Sequence, residues 1–352
     1  MSSSSPLSSP LPTAAHRERT IVVFGAYGHT GRFVVAELRR RGHRPVLAGR
    51  DRAALRSLAE LHPGSETRVA SADDARSLDR ALDGAELVIN CAGPFIDTAA
   101  PLIDAAIRAG AHYLDVAAEQ RVALAAFDGA ADRAREAGIA VIPAMAYYGG
   151  LADLLATAVM GDWATADEIR IGHALDSWQP TRGTRETGRV NSPHYVVFTG
   201  NRYTTPPQPA ARRGWDFPVP FGPLDVTELS TADQVTIPRH LAVPEVRVYM
   251  NDAPLRDLRD PVTPEPVPTD ATGRSAQVFV VEAVVRRGAE ERRAHARGQD
   301  IYAVTAPLVV EAAERVLDGR CKAVGVVAPG EAFDPEDFLT ALAPQQLTWQ
   351  SG

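Results

Sequence analysis

The stretch that most constrains this chain is Ile21-Val22-Val23-Phe24 running directly into Gly25-Ala26-Tyr27-Gly28-His29-Thr30-Gly31. A short apolar, β-branched run bounded by glycine reads as a strand buried on both faces. The following segment sets Phe33, Val34 and Leu38 on one helical face and ends with Arg39, Arg40 and Arg41 before Gly42. A strand covered on both faces needs helices above and below it, so this first unit already selects an α/β layer architecture. The glycines fall where the opening turn of a helix leaves N–H groups without partners, a place that favours a bound anion. Gly25 permits the tight turn, Gly28 lets a pyrophosphate approach the backbone, and Gly31 lets helix and strand pack closely. The spacing is Gly-x-x-Gly-x-x-Gly rather than Gly-x-Gly-x-x-Gly. Its position between strand and helix makes it a dinucleotide loop.

The same alternation continues. Strands are expected over 45–48, 67–70, 86–90, 113–116 and 139–143, with helices over 53–61, 77–82, 101–109 and 123–137. Residues 20–150 therefore read as a Rossmann-type, doubly wound parallel sheet. After Gly149-Gly150 the rhythm is lost. A helix over 151–160 precedes strand-like runs over 168–175 (exposed on one face), 195–198, 246–250 and 278–285. The last forms a hairpin through Arg287-Gly288-Ala289 to 292–297. Thirteen of the 27 prolines lie between Pro206 and Pro268, which predicts long loops and edge segments there. Residues 151–305 are expected to form an α+β domain with a largely antiparallel or mixed sheet. Residues 306–352 add a closing helix, strand and helix that pack back on the first domain. The Ser/Pro-rich residues 1–19 read as a disordered tail.

The end of the second strand reads the ribose. A carboxylate normally stands there in NAD sites, about 20 residues past the glycines. This chain has Ala48-Gly49-Arg50. The small residues leave room for a 2′-phosphate and Arg50 can fork onto it, with Arg32 assisting, so the cofactor expected is NADP(H). Asp51 is assigned to capping the next helix. Asp73 either contacts adenine or caps the helix after it. After the fourth strand, Asn90-Cys91-Ala92-Gly93-Pro94-Phe95 lies where the nicotinamide end passes the strand termini. With nothing nearby in sequence to lower its pKa, Cys91 reads as a small buried residue of that loop. The candidate cofactor-binding residues are thus Gly25, Tyr27, Gly28, His29, Thr30, Gly31, Arg32, Gly49, Arg50, Asp73, Cys91, Ala92, Gly93 and Pro94.

Composition removes competing chemistries. Lys322 is the only lysine among 37 basic residues, which excludes a Walker A lysine and the Tyr-x-x-x-Lys pair of short-chain dehydrogenases. The nine histidines contain no His-x-x-x-His pair, and two cysteines make neither a disulfide framework nor a thiolate cluster. No metal site is expected. A net charge of −7 argues against nucleic acid and anionic membrane surfaces, and no apolar run approaches the roughly 18 residues of a membrane span. A reducing cytoplasm is the expected compartment.

The run 23–31, Ala48-Gly49-Arg50, Asn90–Phe95 and His112-Tyr113-Leu114-Asp115 together resemble the saccharopine dehydrogenase-like (saccharopine reductase) oxidoreductases over roughly residues 20–155. Weaker echoes lie in Pro180-Thr181-Arg182-Gly183-Thr184, Asp300-Ile301-Tyr302 and Phe333-Asp334-Pro335-Glu336. The resemblance implies NADP(H)-dependent hydride transfer in a cleft between two domains, and a mixed-sheet second domain that often dimerises; a homodimer is expected. Its members act on substrates as different as imines and conjugated alkenes. One departure stands out: Tyr147-Tyr148-Gly149-Gly150 replaces the Pro-Gly turn of similar proteins. Hydride addition to C=N or C=C needs a proton unless the substrate is already an iminium. Tyr147, Tyr148, His173, Asp176, His194 and Tyr302 are the candidate donors. Tyr148 leads, because the glycine bend follows a strand carboxyl end, with Tyr147 and His194 beside it. The expected function is an NADPH-dependent reductase of a small unsaturated metabolite; the alternative is a non-catalytic NADP-binding redox sensor or scaffold.

Overall fold

The computed structural model of the chain describes residues 19–191, 194–321 and 323–352, so the expected tail lies outside them apart from Arg19. Two sheets organise these residues. The first contains β1 (Ile21–Phe24), β2 (Val46–Gly49), β3 (Thr67–Val69), β4 (Leu87–Asn90), β5 (His112–Asp115) and β6 (Ala140–Ile142). It is completed by β15 (Gly325–Val326), which returns from the far end of the chain and pairs parallel with β6. The order is β15-β6-β5-β4-β1-β2-β3, all parallel. Helices α1 (His29–Arg40), α2 (Arg52–Leu61), α3 (Ala75–Ala81), α4 (Phe95–Ala109) and α5 (Gln120–Glu136) link the strands. Because β2 and β4 flank β1, the winding reverses there, and a crevice opens beyond the carboxyl ends of β1 and β4.

Helix α4 begins at Phe95, six residues before the expected start at Pro101. Proline favours a first helical position. Here Pro94 already occupies the N-cap, and Pro101 costs one N–H of a 15-residue helix.

The second sheet has the order β10-β11-β12-β7-β13-β14-β16, with a small β8–β9 hairpin attached to β12. Its strands are β7 (Glu168–Leu175), β8 (Val197–Thr199), β9 (Arg202–Thr204), β10 (Arg212–Phe217), β11 (Gly222–Glu228), β12 (Glu245–Asn251), β13 (Val278–Arg287), β14 (Glu290–Gln299) and β16 (Leu347–Ser351). Only β12 and β7 run parallel, which makes the sheet mixed and largely antiparallel. One expectation changes. Strand β7 is not exposed on one face: it is central and buried almost throughout. The proline-rich stretch contributes, at the edge of the sheet, the β10–β11 hairpin, which curls over the outer face so that Trp215 and Phe217 sit on Gly172. Arg170 on that face is held by Glu168 and Glu291. Charged and small side chains made the face look wet; the hairpin and ion pairs dry it.

Helices α6 (Gly150–Met160) and α10 (Thr305–Leu317) fill the space between the sheets. One continuous core runs from Val23 and Leu38 of the first sheet layer through Leu154 and Val309 to Ile171 and Phe279 of the second sheet. Arg41, at the end of α1, pairs with Glu37, Glu311 and Glu314, so α1 and α10 are also tied by charge.

Candidate dinucleotide site and the cleft beside it

The glycine loop has the geometry its spacing predicts. Gly25 has φ +82°, and a Cβ there would lie 2.7 Å from the Ala92 backbone, so the loop after β1 packs directly on the loop after β4. At Gly31 a Cβ would come within 2.2 Å of the Gly25 carbonyl. Gly28 has an ordinary backbone, and a Cβ there would meet the carbonyl oxygens of Gly25, at 3.2 Å, and Cys91, at 3.8 Å. Of the three, Gly28 is the least confined by the fold. Helix α1 opens with no side-chain cap and no acidic residue in its first turn, so its free N–H groups and positive end face the crevice. These features fit a pyrophosphate.

At the end of β2, Gly49 lies against the Tyr27 ring, and a Cβ there would sit 2.7 Å from it. The Tyr27 hydroxyl accepts the Asp51 N–H at 3.2 Å, while the Asp51 carboxylate caps α2 through Ala53 and Ala54. Asp51 Oδ1 is thereby committed to the helix cap. Arg50 is exposed and lines a cleft of 620 Å³ between α2 and α3, with Arg52, Arg56, Ser71 and Arg80. Arg32 folds back to donate to the Tyr27 carbonyl at 2.9 Å, which ties the loop instead of leaving its Nε free. The capping alternative for Asp73 is overturned: Asp74 caps α3, and Asp73 is exposed beside it.

Beyond β4, Asn90 shapes the next loop by accepting the Ala92 N–H at 3.0 Å, while Thr98 donates to the Ala92 carbonyl at 2.6 Å. Gly93 is exposed and Pro94 caps α4. Cys91 is buried, and burial together with Asp115 pushes its thiol far up, so it is no nucleophile. Asp115 accepts N–H groups from Ala117 and Ala144 and the Tyr113 hydroxyl, which locks the ends of β5 and β6 together.

Sequence reading missed Glu119. It is 3% exposed, accepts the Phe95 N–H at 3.3 Å and receives the Thr187 hydroxyl at 3.2 Å from helix α7 (Arg182–Asn191). Burial raises its carboxyl above the usual range. A helix start placed at 123 had left Glu119 in a loop; it is the N-cap residue of α5.

The chain leaves β6 through Tyr147 and Tyr148 and turns at Gly149, φ +90°, where a Cβ would lie 2.6 Å from the Ala144 carbonyl. The two tyrosines part here. The Tyr147 hydroxyl points inward, 3.2 Å from His173 Nδ1 on β7. His173 is fully buried, and its Nε2 lies 3.3 Å from Asp233 of α8 (Asp233–Thr236). The Tyr148 hydroxyl is buried without a hydrogen-bond partner. Its ring packs on His173, at 5.0 Å, and near Trp178, at 6.1 Å. Trp178 Nε1 donates to the Tyr302 hydroxyl at 2.9 Å, and the Tyr302 ring meets His29 of the glycine loop at 5.2 Å. An aromatic path thus joins the Tyr148 bend to the nucleotide loop. Tyr302 is engaged by Trp178, Thr181 and Thr184 and is a brace. Asp176 pins the sheet by accepting the Val278 N–H. His194 is exposed on the segment between α7 and β8.

With this geometry in place, comparison with known proteins is decisive for the first domain. Residues 21–145 match the family described as the saccharopine dehydrogenase NADP binding domain. The chain is 30% identical over 142 residues to a probable mitochondrial saccharopine dehydrogenase-like oxidoreductase of Arabidopsis thaliana, a match taking in 36% of this chain and 31% of that one. It is 36% identical over 117 residues to a human saccharopine dehydrogenase-like oxidoreductase, covering 28% and 27% of the two chains. The chain therefore spans about a third or less of the length of the curated relatives it matches. In fold the likeness is broader. The apo saccharopine dehydrogenase (L-Glu forming) of Saccharomyces cerevisiae superposes with a TM-score of 0.66 at 13% identity, over 95% of this chain and all of that one. Both sheets, not only the first, belong to the saccharopine dehydrogenase fold. Among the described residues no helix is long and apolar enough to cross a membrane.

Proposed function

We propose that the protein is an NADPH-dependent reductase acting on a C=N or conjugated C=C bond of a small metabolite, in the crevice beyond the carboxyl ends of β1 and β4. Bound NADPH supplies the hydride. The chain's own residues then have separable tasks. The glycine loop and the open end of α1 hold the pyrophosphate, Arg50 takes the 2′-phosphate, and Ala92, Gly93 and Pro94 border the nicotinamide end. Tyr148 delivers the proton. The observation that carries this reading is the Tyr148 hydroxyl: a buried polar group without a partner is costly, and enzymes leave one where a reacting atom completes it. Burial raises the phenol well above its ordinary value, so it releases its proton only to a strongly basic centre. The nitrogen left after hydride addition to a neutral imine is such a centre. We also read the protein as a cytoplasmic homodimer joined through the second sheet, in keeping with its two cysteines and the resemblance.

The test is loss of NADPH absorbance on incubation with a panel of cyclic imines and enones. Turnover of at least one class supports the proposal. Tight NADPH binding with no turnover across a broad panel would favour the sensor or scaffold.

A further inference from the structure

Resting on that reading, we propose that Asp233, with His173 and Tyr147, is a positioning device that fixes the Tyr148 hydroxyl at the reacting bond. Asp233 is fully buried and stands on an element remote in sequence from the bend. One carboxylate oxygen accepts the Gly149 N–H at 2.5 Å. The other accepts the Thr231 hydroxyl at 2.5 Å and faces His173 Nε2 at 3.3 Å. A carboxylate accepts and never donates, so Nε2 carries the proton and Nδ1 is left as an acceptor for the Tyr147 O–H. Every donor in the chain is thereby assigned in one direction, from Tyr147 to His173 to Asp233. Only a charged carboxylate satisfies all three donors that meet at position 233.

The consequence falls on Tyr148. It is bonded on one side to Tyr147, whose ring is fixed by His173 and by Phe279 at 4.9 Å. On the other side is Gly149, whose N–H is fixed by Asp233. Tyr148 packs edge-on against Tyr147 at 4.9 Å and against His173 at 5.0 Å. Its own hydroxyl makes no bond that would hold it, so its placement is set by the neighbours Asp233 orients. A misplacement of about 1 Å at a reacting group costs about 10²-fold in rate. The Tyr147 proton, directed inward, is withheld from the cleft, which leaves Tyr148 as the single donor on the bend.

The test is Asp233→Asn, whose amide offers one acceptor where three donors converge and sets its N–H₂ against one of them. The expected result is a fall in kcat of about 10²-fold with NADPH affinity within about twofold of wild type. His173→Gln should give a smaller loss, and Thr231→Val the smallest. Nitrogen NMR of ring-labelled wild-type protein should show His173 as the Nε2–H tautomer, and Asp233→Asn should abolish that preference. This measurement needs no substrate, so it judges the positioning chain even if the reductase reading fails the imine and enone panel. An Nδ1–H tautomer in wild type would overturn the proposal. So would Asp233→Asn retaining kcat within about twofold while the tautomer changes. If Asp233→Asn does not fold, the wild-type spectrum and the His173→Gln kcat against KM split decide instead. A His173→Gln loss confined to KM would overturn the proposal.

Discussion

The two sheets of this molecule meet the same need, burial of a strand surface, by opposite means, and the difference explains why one advertises its function and the other conceals it. The first sheet is seven parallel strands whose central members β1 and β4 are buried throughout, and helices α1 to α5 return over it at regular intervals. A parallel pair requires a crossover, so strand, helix and turn are written locally and in order. Its ligand groups lie in the turns of those units. The second sheet brings together strands from 168 to 351, and its outer face carries Arg170, Glu282 and Arg293, dried by a hairpin from the proline-rich stretch. What it places around the Tyr148 bend is scattered: His173 on β7, Trp178 in the segment after β7 and Tyr302 in the turn before α10.

That comparison is tested most sharply where the two sheets meet. Tyr148→Phe removes one hydroxyl with little volume. Loss of a general acid costs ~10²–10⁴-fold, so kcat on a neutral imine or enone should fall by that range while NADPH affinity holds. Tyr147→Phe should also lower kcat, through His173 and not through proton delivery. A substrate with a preformed iminium should blunt both effects, since it needs neither the proton nor the groups that position its donor. Wild-type turnover by Tyr148→Phe would move the proton source to His194 or solvent.

Two further substitutions confine the effect to the first sheet. Gly28→Val places a branched side chain where the pyrophosphate is expected, at a backbone conformation valine can adopt. The mutant should melt near the wild-type temperature without ligand, yet show no stabilisation by NADPH where wild type gains by mass action. Equal ligand-induced shifts would remove the site from this loop. Arg50→Ala should weaken NADPH by about 10–100-fold, the loss of a charged hydrogen bond worth about 1.5–3 kcal/mol, and leave NADH nearly unchanged. Calorimetry with both cofactors checks it. Equal losses, or a wild type that prefers NADH, would take the 2′-phosphate away from Arg50.

How far the sequence could be read follows from the same contrast. The strand β1, the glycine turn and the Ala48-Gly49-Arg50 strand end lie within 30 residues of one another, in one strand–helix–strand unit, so their meaning survives without a structure. Asp51 and the dinucleotide loop needed no long-range contact to be recognised. Glu119 was hidden because α5 starts with Gln120 and has no Ser, Thr, Asn or Asp cap to mark it. Asp233 was hidden more deeply. Nothing in Thr231-Ala232-Asp233 announces that its carboxylate reaches a histidine 60 residues away and a glycine 84 residues away. Strand β7 misled because Arg170, Gly172 and Ala174 alternate with Ile169, Ile171 and His173 as a half-wet strand would. Only the hairpin, 40 residues later, buries that face.

Gly172 offers the last and smallest test, one that should touch stability and leave cofactor binding alone. A Cβ at Gly172 would lie 2.6 Å from the Trp215 ring and 2.9 Å from the Phe217 ring. Trp215 cannot simply swing away, because its Nε1 donates to Glu282 at 2.7 Å and Glu282 is 4% exposed. Gly172→Ala must therefore lift the β10–β11 hairpin or break that bond. Overpacking of this kind costs about 1–3 kcal/mol, which denaturant unfolding will resolve. The indole fluorescence should change with it, since Trp215 leaves a buried site beside Phe217. A cost below about 0.5 kcal/mol, the level of an ordinary surface change, would show that the roof yields freely. The outer face would then be wet after all, as its alternation first suggests, and the contrast between the two sheets would narrow to the order of their strands.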